Sequence, residues 1–179
     1  MRLFQQRGYH AVGTAEILAQ ARAPKGSMYH HFPLGKEQIA ISAVEGIHAD
    51  LMAMLRKLHR DGRSLDELIR RLAQGIGQWL KACEWREGAL LASTTVGAVP
   101  ELPKLHAAIR RAYDDWREYL AARLRDQGWR PAPAHAMAQT IVASIEGAMI
   151  LARIDQDERT LTAVADTIAR MVAAGDRGP

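Results

Sequence analysis

The tightest constraint on this chain lies between Thr14 and Glu37, where two short runs with helical spacing are separated by Arg22-Ala23-Pro24. In the first run Ile17, Leu18 and Ala21 share one helical face, and in the second Met28 and Phe32 stand four residues apart and share another. Helices this short are not stable alone, so the two must fold onto each other and onto something larger. The side of the second helix away from Met28 and Phe32 carries Lys25, Gly26, Ser27, Tyr29 and His30. Spacing alone leaves two readings: an αα-hairpin with a polar surface, or a helix-turn-helix that holds its second helix outward to enter a DNA major groove.

A family resemblance decides between these. Leu3-Phe4-x-x-x-Gly8-Tyr9, Ile17-Leu18-x-x-Ala21, Pro24-Lys25-Gly26-Ser27-Met28-Tyr29-His30-His31-Phe32-Pro33 and Lys36-Glu37 occur in that order. Together they resemble the DNA-binding domain of the tetracycline-repressor (TetR) family. The Ala-Pro-Lys-Gly-Ser and Phe-Pro-x-Gly-Lys wording is similar to its LmrA/YxaF-like branch, repressors of drug-efflux genes. The resemblance implies an all-α fold with a helix-turn-helix module over residues 1–47 and a helical ligand-binding and dimerisation domain over 48–179. It implies a homodimer on a palindromic double-stranded operator, released by a small hydrophobic or aromatic inducer.

Carried over position by position, the resemblance implies that Thr14 opens the supporting helix with its hydroxyl toward a phosphate. Lys25 would reach guanine or a phosphate, and Gly26 and Ser27 would let the helix backbone approach the groove floor. Tyr29, His30 and Lys36 would bond phosphates on either side. His31 is expected to pack inward or cap. The chain departs from the family pattern in three places. Arg22 stands where a turn glycine is usual, which predicts a non-glycine residue at positive φ costing about 1 kcal/mol. Val12-Gly13 replaces the common Thr-Ser, which leaves Gly13 or Thr14 to cap. The chain also begins inside what should be helix 1, so the expectation is that either the true start lies upstream or helix 1 is shortened.

Composition bounds the reading without carrying it. Hydrophobic residues at 48% and charged residues at 25% suit a globular core. The net charge of +4 is spread along the chain, since residues 1–47 hold five Lys/Arg against three acids. The case for DNA therefore rests on the motif and not on bulk basicity. Cys83 is the single cysteine, which excludes an intramolecular disulfide and fits a reducing cytoplasm. No run of consecutive apolar residues reaches the roughly 18 that a membrane span requires. No His-Glu-x-x-His, Cys/His metal spacing, Gly-x-Ser-x-Gly or phosphate loop occurs, so no enzyme, metal or cofactor is expected. The rival reading is a dimeric helical ligand-binding module whose DNA recognition is lost or weakened.

Beyond the motif the chain reads as helix throughout, about nine in all, with no sustained alternation. A long amphipathic helix runs over 36–60, and Ser64-Leu65-Asp66-Glu67 reads as a capping box opening the next, which extends to about Trp85. A small-residue segment, 88–99, ends at Pro100. A helix from Pro103 to Gln127, a gap punctuated by Pro131 and Pro133, and helices near 134–154 and 160–173 complete the chain. Trp79, Cys83, Trp85, Tyr113, Trp116, Met137 and Ile141 on three of these helices suit either a hydrophobic ligand pocket or a plain core. Glu146, inside an apolar run, needs a partner, expected to be Arg153 or else a ligand. Ala138, Ala143, Gly147 and Ala148 would let two copies approach closely through the last two helices.

Overall fold

The structure, a computed structural model, describes residues 1–89, 91–92, 94 and 101–175. Among them eight helices are bounded on both sides: α1 (Arg2–Arg7), α2 (Thr14–Ala21), α3 (Lys25–His31), α4 (Lys36–Arg60), α5 (Leu65–Ala82), α6 (Pro103–Asp126), α7 (Pro131–Asp155) and α8 (Arg159–Ala174). The all-α expectation holds. Most of the small-residue segment, including Val99 and Pro100, lies outside the described residues.

The chain divides into two compact units. One consists of Met1–Ala49 with Glu87–Ala112, the other of Asp50–Arg86 with Tyr113–Pro179. In the first, Phe4 is 1% exposed and stacks on Tyr9, with ring centroids 5.9 Å apart. Val12, Leu18, Met28, Ala40, Val44, Leu105 and Ile109 complete a core that no single short helix could assemble. Polar ties brace it: Arg7 pairs with Glu16, Arg2 approaches buried Glu87 at 3.6 Å, and the Gly88 N–H donates to the Gln5 carbonyl at 3.1 Å. The Glu37 carboxylate also accepts from the Leu105 N–H at 3.4 Å.

In the second unit α5 packs against α8, and α7 packs against α8. Leu65, Leu68, Ile69, Ala73, Gly77 and Leu80 recur on one face of α5, and Leu161, Ala165, Ile168, Ala169 and Val172 on one face of α8.

The ends of the helices depart from the expectations in instructive ways. Ser64 is the N-cap of α5, yet its hydroxyl bonds Asp66 and no backbone N–H, and Glu67 is taken by Arg63 at 2.6 Å and Arg71 at 3.3 Å. The cap position is as read; the reciprocal box does not form. α5 ends at Ala82, and Glu84 and Trp85 both take positive φ, 53° and 60°. Trp85 therefore stands outside the helix that was expected to reach it. Pro131 and Pro133 lie inside the first turn of α7, where a missing N–H costs nothing. By length and composition α7 would suffice to cross a membrane, with a mean hydropathy of 1.3 in its best window. Ile141, Val142, Ile145, Ile150, Leu151 and Ile154 carry that value, but polar and small residues interrupt them, so no continuous apolar run announced it. A third of that window is buried inside the fold.

Candidate nucleic-acid interface and regulatory core

The turn between α2 and α3 closes on Arg22, which adopts the left-handed conformation at φ 52°, ψ 37°. Its N–H donates to the Ala19 carbonyl at 3.2 Å and the Ala23 N–H to Leu18 at 3.0 Å, which satisfies the last carbonyls of α2. The strained non-glycine turn is thus present as expected. Gly13 is the N-cap of α2, at extended φ, and Thr14 is the first helical residue. Pro24 then caps α3 in extended conformation, and the Ser27 N–H donates to its carbonyl at 3.0 Å.

On α3 only Met28 is buried. Lys25, Gly26, Tyr29 and His30 are exposed, Ser27 is half-exposed, and Tyr29 keeps 61% of its surface free despite its aromatic ring. Gly26 is helical, and a methyl group added there would meet nothing within 4 Å. A mid-helix glycine costs about 1 kcal/mol relative to alanine, and nothing within the chain requires one here. His31 does not pack inward as expected. It is exposed, and its ring lies edge-on to His30 with centroids 5.0 Å apart. Ala21 is likewise exposed, so Ile17 and Leu18 carry the inner face of α2 without it.

Lys36 opens α4 with a partner that sequence reasoning missed: its Nζ sits 4.2 Å from the centroid of the Tyr9 ring. Burial lowers its ammonium below the ordinary lysine value. Gln38 reaches back to accept from the Leu34 N–H at 3.1 Å, and Gly35 turns the chain at φ 62°. The first residue of α4 therefore lies against the Tyr9 ring.

In the second unit Tyr113, Trp116 and Glu146 come together. The Tyr113 and Trp116 rings meet edge to face, 5.2 Å apart, and the Tyr113 hydroxyl bonds the Glu146 carboxylate. Burial pushes the Glu146 carboxyl above the ordinary carboxylate range, partly offset by that hydrogen bond. Burial, with the nearby carboxylate adding to it, pushes the Tyr113 phenol well above its usual value. Glu146 Oε2 is buried with no hydrogen-bond partner among the described residues. The expected partner Arg153 is committed elsewhere, donating from Nε to the Trp85 carbonyl and from Nη2 to the Arg86 carbonyl, each at 2.9 Å. Trp79, Cys83 and Met137 are half-buried and Ile141 is buried; the Cys83 thiol donates to the Leu80 carbonyl at 3.2 Å.

A polar groove of about 460 Å³ between α5 and α8 was not foreseen. Arg70 there pairs with Asp66 at 2.7 Å and Asp166 at 3.1 Å, and Lys81 with Glu158 at 2.6 Å. Only the local Asp66–Arg70 spacing was visible in the sequence; Asp166 on α8 is 96 residues from Arg70, and Glu158, just before α8, is 77 from Lys81. Among the described residues no cluster of metal-binding side chains occurs.

Residues 1–43 match the family described as bacterial regulatory proteins, tetR family, and residues 66–167 match the C-terminal domain of LmrA/YxaF-like transcriptional regulators. The chain is 31% identical over 178 residues to the HTH-type transcriptional regulator LmrA of Bacillus subtilis, covering 93% of this chain and 89% of LmrA. The chain belongs to the TetR family of bacterial transcriptional regulators. It is equally similar, 31% over 177 residues, to an uncharacterized HTH-type transcriptional regulator of Mycobacterium tuberculosis, covering 96% of this chain and 89% of that one. In fold it superposes on a TetR transcriptional regulator from Legionella pneumophila with a TM-score of 0.83 at 22% identity, covering 94% and 90% of the two chains. TetR-family regulators bind operator DNA, act as dimers and are not generally enzymes. The helix-turn-helix described above is accordingly that of a DNA-binding transcriptional regulator.

Proposed function

We propose that this regulator is a cytoplasmic homodimeric repressor. Residues 1–47 form its DNA-binding module and 48–179 its ligand-binding and dimerisation domain. Lys25, Gly26 and Ser27 of α3 face base edges in the major groove; Thr14, Tyr29, His30 and Lys36 position the module on phosphates. The observation that carries this reading is the outer surface of α3: an exposed tyrosine beside a lysine and a glycine that the chain's own packing does not require.

The inducer is a small hydrophobic or aromatic molecule held among Trp79, Cys83, Trp85, Tyr113, Trp116, Met137, Ile141 and Glu146. Its binding favours a spacing of the two recognition helices that no longer fits successive grooves. A hundredfold release requires about 2.7 kcal/mol of coupling, and by reciprocity operator DNA weakens inducer binding by the same factor.

Selection of bound fragments from random DNA, followed by affinity measurement, tests the DNA half. The selected sites should be palindromic, with half-site centres one helical turn or more apart, roughly 34 Å or above. Lys25→Ala should cost about 1–3 kcal/mol and relax sequence preference, whereas Tyr29→Ala should weaken all sequences alike. Unchanged affinity in both variants refutes the assignment of α3.

A further inference from the structure

We propose that Glu146 is the anchor for an organic cation bearing an N–H donor on an aromatic body. The inference rests on the ligand-binding reading above and narrows its chemistry. Three observations converge within one compact unit. The Glu146 carboxylate is buried between α6 and α7, with one hydrogen bond from the Tyr113 hydroxyl. Its Oε2 is inaccessible and has no hydrogen-bond partner among the described residues. The Tyr113 ring that carries this hydroxyl meets the Trp116 ring edge to face, 5.2 Å apart.

Each observation alone has an ordinary explanation; their combination does not. A buried acceptor that served only to receive the Tyr113 hydroxyl needs no charge, and a glutamine oxygen would do as well. A carboxylate in that place carries a desolvation cost that one neutral hydrogen bond does not offset. The positively charged side chain nearest in the sequence pattern, Arg153, is spent on the carbonyls of Trp85 and Arg86. An ammonium or amidinium with an N–H aimed at Oε2 supplies both the missing donor and the missing charge. The faces of Tyr113 and Trp116 favour the same species, because aromatic quadrupoles attract cations and an apolar ring packs well beside them. A neutral ligand of the same shape gains the packing but leaves the carboxylate charge uncompensated, and an anionic one is repelled.

The test uses the full chain and matched probe pairs: phenethylamine against 2-phenylethanol, and 2-naphthylmethylamine against 2-naphthylmethanol, titrated by calorimetry near pH 7. Wild type should bind the amine of at least one pair tenfold or more tighter than its alcohol. Glu146→Gln, close in size, should bring amine and alcohol within about twofold of each other while the alcohol affinity is kept. Equal affinity for amine and alcohol in wild type, preference undiminished in Glu146→Gln, or no binding of any probe each overturns the proposal. The wild-type comparison stands even if a variant fails to fold. Operator binding by the same preparations reads the regulator assignment separately, so intact DNA binding without amine selectivity sinks this inference alone.

Discussion

Gly26 is the residue at which folding and function pull apart. It is helical, exposed, and free of any neighbour within 4 Å of an added methyl group, so the fold gains nothing from it. Gly26→Ala should raise stability by up to about 1 kcal/mol in thermal or urea denaturation while weakening operator binding. A variant that gains stability and binds DNA as well as wild type removes the argument that the groove floor demands glycine. Glu146 is the corresponding residue of the second unit. Burial raises its folded-state carboxyl above the unfolded value, so its stabilising contribution is complete below about pH 4.5 and is lost as pH rises through the folded value. Glu146→Gln, which does not titrate, should therefore melt higher than wild type near neutral pH, with the gap closing as pH falls to about 4. A gap that is constant across this range shows that the carboxyl does not titrate differently on folding.

At the scale of elements, helix ends decide most of what is unusual. The last turn of α5 leads into two successive non-glycine residues at positive φ, Glu84 and Trp85, each costing on the order of 1 kcal/mol. Arg153 on α7 binds the carbonyls of Trp85 and Arg86 and holds that turn. Arg153→Met keeps the aliphatic stem and removes the donors; it should destabilise by about 1.5–3 kcal/mol, the range for charge-assisted hydrogen bonds. Calorimetric melting measures this, and an unchanged melting temperature shows that the turn holds itself.

At the scale of the molecule, the outward side of α7 and α8 is apolar where solvent alone would favour charge. Ile150, Leu151 and Ile154, the last 70% exposed, follow one another on α7, and Met171 is exposed on α8. Of the small residues expected to admit a partner, Ala138 and Ala148 are buried within the chain, whereas Ala143 is exposed and Gly147 half-exposed. The expectation that a second copy docks on the last two helices therefore rests on Ala143 and Gly147 together with the exposed isoleucines. Ile154→Asp places an unpaired charge on that surface, where it cannot be buried without a partner. Light scattering should show the variant as a monomer at micromolar concentration, with palindromic operator affinity lost beyond what one half-site supplies. A variant that stays dimeric moves the interface elsewhere.

Local sequence was sufficient wherever an element is determined by its own period and its own ends. The 36–60 helix is read to the residue because its apolar spacing lies within the element and the Asp61-Gly62-Arg63 break lies directly after it. The wording of residues 3–37 likewise marked the helix-turn-helix and placed Arg22 at positive φ. Side-chain partnership was a different matter. Lys36 over Tyr9, Glu146 with Tyr113, Arg153 on Trp85 and Arg86, and Lys81 with Glu158 join residues 27, 33, 67–68 and 77 positions apart. No periodicity reaches that far, because a pattern reports which face a residue occupies and not which opposing face arrives there. The Ser64 box failed for a related reason: Arg63 and Arg71 compete for Glu67, and competition between partners is settled only when all are in place. The sequence by itself thus determined the helices, the motif and the family; the tertiary structure decided which polar groups were left buried and which pairs they made.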